Sequence, residues 1–228
     1  GWLRRVEPDA VVTDDMFAAM AAPLANTPLY VLTHNAPAFY DAVIEESMTW
    51  VLTKLQLAIG REFYYPAVWP PRESDPEGVS RIPPIALDSD AACPMDIDVL
   101  IVPSHYSDGF DELAADIEAS GRDVTLVGDE EWETVPSMLP CLREANVVVC
   151  SGYSTIMEAA VAGTPCIIYP FTDEQHGVAW VIENAGVEGF QVEHSHPHIC
   201  RAVESPPEPP EQKNGADEAA KRILADLS

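Results

Sequence analysis

From residue 98 to residue 185 the chain alternates between short apolar runs and longer stretches with helical spacing, and few architectures accept that pattern. The runs at 98–102, 123–127, 147–150 and 166–169 read as strands; the stretches at 109–119, 137–143, 154–162 and 175–185 read as helices. Strand and helix in regular alternation imply a parallel sheet with right-handed crossovers. Gly121 and Gly163 fall just past helix ends and Gly186 closes the last one, as C-cap chemistry expects.

The remainder is organised around that block. Ala10–Thr13, Met16–Leu24 and Leu29–Thr33 read as strand, helix and strand, with Pro28 limiting the helix. Between 41 and 59, Ala42, Val43, Ile44, Met48, Val51, Leu52 and Leu55 recur at helical spacing, an amphipathic helix whose apolar face is expected to be core. Pro66, Pro70, Pro71, Pro76, Pro83, Pro84 and Pro94 mark 66–95 as a crossing between two α/β lobes. Residues 205–215 read as a spacer and 216–227 as a last helix. The expected division is a partial lobe at 1–65, the crossing at 66–95, a ligand-binding lobe at 96–203, and spacer plus helix at 204–228.

Charge narrows the partners. The 38 acidic and 12 basic residues leave a net charge of -26, a field that excludes nucleic acid, which demands a basic footprint. The acids are scattered rather than gathered in a tail, which reads as a surface adapted to a halophilic cytoplasm, where molar salt shortens the Debye length to about 3 Å. No apolar run is long enough to cross a bilayer and no signal-peptide pattern is read in these residues. The five cysteines form no CxxC pair and several sit in apolar strands, so buried thiols in a reducing compartment are expected.

Two segments carry polar groups at strand ends. After the strand at 147–150, Ser151-Gly152-Tyr153-Ser154-Thr155-Ile156-Met157-Glu158 turns tightly into a helix. Gly152 lets the backbone approach a ligand, the free N–H groups of the new helix attract a diphosphate, and Ser154 and Thr155 add hydroxyls. Glu158, one turn in, can accept hydrogen bonds from two ribose hydroxyls; equally, Thr155-x-x-Glu158 fits a capping box. After the strand at 166–169, Asp173, Glu174 and Gln175 suit sugar hydroxyls, and the alternative is an acidic helix start capped by Thr172 or Asp173.

Taken together, Ser151-Gly152, Ser154-Thr155, Glu158, Gly163-Thr164-Pro165 and Asp173-Glu174-Gln175 resemble, in order and spacing, the donor-binding half of GT-B glycosyltransferases of the MurG and UDP-glycosyltransferase type. The likeness runs from about Val124 to Val192, and Pro8–Asp14 resembles the later strands of that family's acceptor lobe. It implies an α/β fold of two Rossmann-like lobes, the first apparently truncated at its N-terminus. It also implies transfer of a hexose or N-acetylhexosamine from a UDP-sugar to an acceptor hydroxyl, with no cofactor and no divalent metal. The sequence departs from the family in its glycine-poor turn, in Val178-Ala179 where Asn-Ala commonly follows the sugar loop, and in Pro103–Gly109 where a glycine-rich loop is usual.

For such a transfer Asp14 or His34 is the candidate base, each with a bland alternative: Asp14 or Asp15 as a helix cap, His34 as a satisfied loop residue. Ser104 and His105 lie on a loop expected to face the cleft. Asp88-Ser89-Asp90 and Asp96-Ile97-Asp98 mimic a metal-binding triplet, but chance alone supplies about six acid-x-acid triplets at this acid content. His194-Ser195-His196-Pro197-His198 has ligand-like spacing yet reads as a solvated loop. The acceptor can be lipid-linked, which would place the protein at the inner membrane face. Two other functions stay open: a UDP-sugar epimerase of the same fold, and a nucleotide-sugar-binding subunit that needs a partner chain.

Overall fold

The computed structural model describes residues 1–34, 39–40 and 43–228. The chain divides into two compact units, Gly1–Pro83 with Gly215–Ser228, and Pro84–Asn214. Each is α/β and built on a parallel sheet.

The first unit opens with a short helix α1 (Leu3–Val6), then β1 (Val11–Thr13), α2 (Met16–Leu24), β2 (Leu29–Leu32), α3 (Val43–Ile59), β3 (Glu62–Pro66) and β4 (Ser80–Ile82). The strands stand in the order β1-β2-β3-β4, all parallel. Asp15 caps α2, its carboxylate accepting from the Ala18 N–H at 2.7 Å. Helix α3 reverses the expected burial: Thr49, Thr53 and Gln56 face inward, while Ile44 is 81% exposed, Met48 58% and Val51 55%. The face packed on α2 and β3 is thus the polar one, and the apolar stripe looks outward. Expected helix residues 41 and 42 lie outside the described residues.

Strands β3 and β4 occupy stretches that the prolines disguise. They are joined by 67–79 without a helix, and a part-buried carboxylate organises that loop. Asp75 accepts from the backbone N–H and Nε of Arg72, each at 3.0 Å, and from Arg81 Nη1 at 2.6 Å. Arg81 also donates to the Trp69 carbonyl.

The second unit continues with β5 (Val99–Val102), α4 (Phe110–Ala119), β6 (Val124–Leu126), α5 (Leu139–Glu144), β7 (Val147–Cys150), α6 (Tyr153–Ala162), β8 (Cys166–Ile168), α7 (Asp173–Ala185), β9 (Phe190–Val192) and α8 (His196–Glu204). Its sheet runs β6-β5-β7-β8-β9, all parallel. Alternate strand residues serve opposite faces. Val99, Ile101, Val147, Val149 and Ile167 pack with Phe110, Leu113 and Ile117 of α4 and Ile199 and Val203 of α8. Leu100, Val148, Cys150, Cys166 and Ile168 fill the other side and are also fully buried. A sheet covered on both faces explains why its strands are continuously apolar.

One expectation needs correction here. The cysteines are not all thiols: Cys93 and Cys141 are disulfide-bonded, leaving Cys150, Cys166 and Cys200 free. The segment before β5 runs along α5, where Ser137 Oγ donates to the Leu87 carbonyl at 2.6 Å and Arg143 meets Asp88 at 3.2 Å, so the two cysteines are neighbours. The spacer at 205–215 holds no helix or strand and is pinned. Pro210 packs so closely on Gly189 that a Cβ there would lie 2.5 Å from the proline ring. Asn214 pairs with both backbone groups of Ala86. Beyond it the final helix α9 (Ala216–Leu227) belongs to the first unit. There Asp226 meets Arg61 at 3.0 Å and also accepts from the Tyr30 hydroxyl.

Candidate functional site

In the second sheet the strand order reverses between β5 and β7: β6 lies beyond one, β8 and β9 beyond the other. Connections leaving the two central strands therefore diverge, which opens a crevice above their C-terminal ends. The loops there are 103–109 after β5 and Ser151-Gly152 after β7, and the polar loop after β8 stands beside them.

These loops are tied by hydroxyls. The Ser104 N–H is shared between Ser107 Oγ at 2.8 Å and Ser151 Oγ at 3.1 Å. Ser107 Oγ donates to the Ser104 carbonyl at 2.7 Å. Gln175 Nε2 donates to Ser104 Oγ at 3.1 Å. Ser151 is buried, so its hydroxyl serves this network. Ser107 escaped the sequence reading: a serine in a Ser-Asp-Gly turn carries no signal of its own.

Helix α6 starts at the crevice. Its N-cap is Gly152 in extended conformation (φ -95°, ψ 145°), and no side chain caps it. Thr155 is therefore inside the first turn rather than at the cap, and the capping box that Thr155 and Glu158 could have formed is absent. Thr155 is buried, Ser154 exposed and Glu158 half-buried. Ser154 and Glu158, four apart, share one side of the helix. Burial pushes the Glu158 carboxyl above the usual glutamate value, with no other contribution. Gly152 does not need glycine's conformational freedom, and a Cβ there would find only Ser104 Cβ at 3.9 Å.

The box sits on α7 instead. Thr172 caps it, accepting from the Gln175 N–H at 3.3 Å, while Gln175 Oε1 accepts from the N–H groups of Phe171 at 2.8 Å and Thr172 at 3.2 Å. Asp173, exposed, and Glu174, half-buried, occupy the first turn, where the helix dipole favours carboxylates. His105 is exposed beside Tyr106.

The remaining candidates fall elsewhere. Asp14, exposed, and His34, half-buried, follow the C-terminal ends of the adjacent strands β1 and β2 in the first unit. Asp98 is structural. Arg122 grips it through two bonds, 2.7 and 2.6 Å, Asn146 Nδ2 adds a third at 3.0 Å, and the guanidinium holds its carboxyl well below the usual range. His194 lies in the loop expected for the histidine run, while His196 and His198 open α8, where His196 meets Asp116 at 3.2 Å and His198 meets Glu193 at 3.4 Å. Among the described residues no group of three or more His, Cys, Asp or Glu side chains could hold a metal ion, and no helix is long and apolar enough to cross a membrane.

Two parallel sheets on one chain, the second with a crevice at its switch point, define an α/β fold of the GT-B type. No family model and no curated protein matches the chain. Solved structures do. The glycotransferase of kitacinnamycin superposes with a TM-score of 0.60 at 15% identity, over 99% of this chain and 72% of its own. The Streptomyces sp. SF2575 glycosyltransferase SsfS6, complexed with thymidine diphosphate, gives 0.61 at 14% identity, over 99% and 67%. The spinosyn rhamnosyltransferase SpnG, complexed with spinosyn aglycone, gives 0.59 at 14% identity, over 90% and 67%. The chain thus spans roughly two-thirds to three-quarters of these proteins, and the likeness is one of fold.

Proposed function

We propose that the protein is a metal-independent glycosyltransferase that moves a hexose or N-acetylhexosamine from a UDP-sugar to an acceptor hydroxyl. One observation carries the reading: an uncapped helix begins at the switch point of a parallel sheet, and an unpaired, half-buried carboxylate stands one turn along it. The first-turn N–H groups and Ser154 would hold the diphosphate, with Thr155 shaping the turn from beneath. Glu158 would accept from the ribose hydroxyls, and Asp173 and Glu174 from those of the sugar. The acceptor oxygen attacks the anomeric carbon, the bond to the β-phosphate breaks, and UDP leaves as its anion. The acceptor proton passes to a base, for which His34 and Asp14 are the candidates. Neighbours of this fold are complexed with thymidine diphosphate and with spinosyn aglycone, and the outward apolar stripe of α3 favours an apolar or lipid-linked acceptor.

Thermal shift and calorimetry with UDP, TDP and GDP in molar KCl test the donor site. UDP should stabilise the wild type, and Glu158→Gln should lose at least tenfold in affinity. Because burial raises the Glu158 pKa, its ionised form destabilises the fold above that pKa, so the ligand-free Gln variant should be no less stable at neutral pH. A variant that binds UDP as well as wild type removes the ribose role; a wild type indifferent to every nucleotide removes the function.

The first unit favours one second reading, a nucleotide-sugar-binding subunit completed by another polypeptide. Strand β1 is one edge of its sheet. Beside it a cavity of about 760 Å³ is lined by Trp2, Leu3, Val11, Val12 and Leu24, and Phe17 of α2 is 83% exposed. Sugar-transfer activity of the chain by itself would refute this second reading.

A further inference from the structure

We infer that Gln175 is a positioning residue: it buckles the β8–α7 loop to the β5–α4 loop across the crevice, leaving sugar selection to Asp173 and Glu174. The inference rests on the donor-site reading above and assigns Gln175 a different role within it.

A glutamine side chain has two acceptor positions on Oε1 and two N–H groups on Nε2. Both acceptor positions are used, by the N–H groups of Phe171 and Thr172. Those two donors also settle which way the amide points, since a flipped side chain would face N–H with N–H. One Nε2 hydrogen then goes to Ser104 Oγ at 3.1 Å. A single N–H is left, too little to grip a pair of sugar hydroxyls.

Its partner is equally committed. Ser104 Oγ also accepts from the Tyr106 N–H at 3.4 Å and lies 3.3 Å from Ser107 Oγ. The Ser104 N–H reaches Ser107 and Ser151, and Ser151 directly precedes the N-cap of α6. One chain of bonds therefore runs from the start of α7, through the β5–α4 loop, to the turn that opens α6. Releasing Gln175 from Ser104 would loosen the turn that holds the diphosphate, and a nucleotide lacking any sugar would sense it.

The test compares Gln175→Ala, Ser104→Ala and the double variant. Ser104→Ala is the cleaner probe because it leaves the α7 capping box intact. Two readouts are needed: affinity for UDP and UDP-N-acetylglucosamine by calorimetry, and amide exchange across 103–107 in ligand-free protein. We expect each single variant to weaken both nucleotides by the same factor, about five- to tenfold, to speed exchange across 103–107, and the double variant to add nothing. Loss of UDP-N-acetylglucosamine affinity with UDP unchanged would make Gln175 a sugar contact and overturn the inference; so would unchanged exchange. If wild type binds neither nucleotide the donor-site reading falls, while the exchange result still decides whether the buckle exists.

Discussion

Replacing Cys93 with serine removes the one covalent tie in the second unit, and the cost can be worked from its position. The bond closes a loop of 48 residues. In the chain-entropy model, closure of such a loop withholds about 14 cal/mol/K from the unfolded ensemble, or about 4 kcal/mol at 25 °C. Spread over a body of about 130 residues, Pro84–Asn214, that should lower the midpoint by about 10–15 °C. Calorimetry of wild type and Cys93→Ser, with and without a phosphine reductant in molar KCl, reads it directly. Reductant should bring the wild type down to the variant and leave the variant unmoved. Thiol titration of denatured, unreduced protein should count three groups, Cys150, Cys166 and Cys200. Five titratable thiols, or a wild type indifferent to reductant, would show that the cross-link does not form.

Two further outcomes follow from the second unit. Gly152→Ala should cost the fold no more than about 1 kcal/mol, since the backbone is extended and a Cβ meets nothing closer than 3.9 Å; UDP affinity, measured by calorimetry, should fall more than tenfold because the methyl group occupies the space a diphosphate needs. Asp98→Asn should destabilise by about 2 kcal/mol in chemical denaturation, leaving Arg122 without its counter-charge. The folded carboxyl is depressed, so its contribution is present above the ordinary aspartate pKa and fades as pH falls from about 4 downward. The variant's acid limb should be correspondingly shallower.

What could be read in advance follows the physics of each element. The strands of the second sheet were visible because burial on both faces leaves unbroken apolar runs such as Val147–Cys150 and Cys166–Ile168. Strands β3 and β4 were hidden, as Pro66 ends one and a helix-free proline-rich loop precedes the other. Periodicity finds a stripe on α3 but cannot say which side meets the sheet, and here the side carrying Thr49, Thr53 and Gln56 does. Side-chain spacing located both polar loops at the crevice. It could not rank capping box against ligand, because the deciding fact is which residue has extended backbone: Gly152 on α6, Thr172 on α7. The Cys93–Cys141 bond and the Ser104–Gln175 contact join residues far apart in sequence, which local pattern does not encode.

The electrostatics of the proposed donor site predict an inverted salt dependence. From Asn146 to Cys200 the sequence has no lysine or arginine, while Glu158, Asp173, Glu174, Glu183, Glu188 and Glu193 are all acidic. A diphosphate held at the start of α6 would rely on backbone N–H groups and the helix dipole, against repulsion from Glu158, Asp173 and Glu174, the carboxylates at the crevice. A pair of like charges 10 Å apart costs about 0.4 kcal/mol in water. At 0.1 M salt the Debye length is about 10 Å and about a third of that survives, ~0.15 kcal/mol; at 1 M it is about 3 Å and almost none does. Three carboxylates against a doubly charged diphosphate make six such pairs, about 1 kcal/mol together, so UDP should bind roughly fivefold tighter in 2 M KCl than in 0.1 M, over the range where circular dichroism shows the fold intact. Sites built on lysine and arginine weaken as salt rises. A UDP affinity that falls steadily with KCl would mean cationic side chains hold the phosphates, and α6 would lose its role as the anion site.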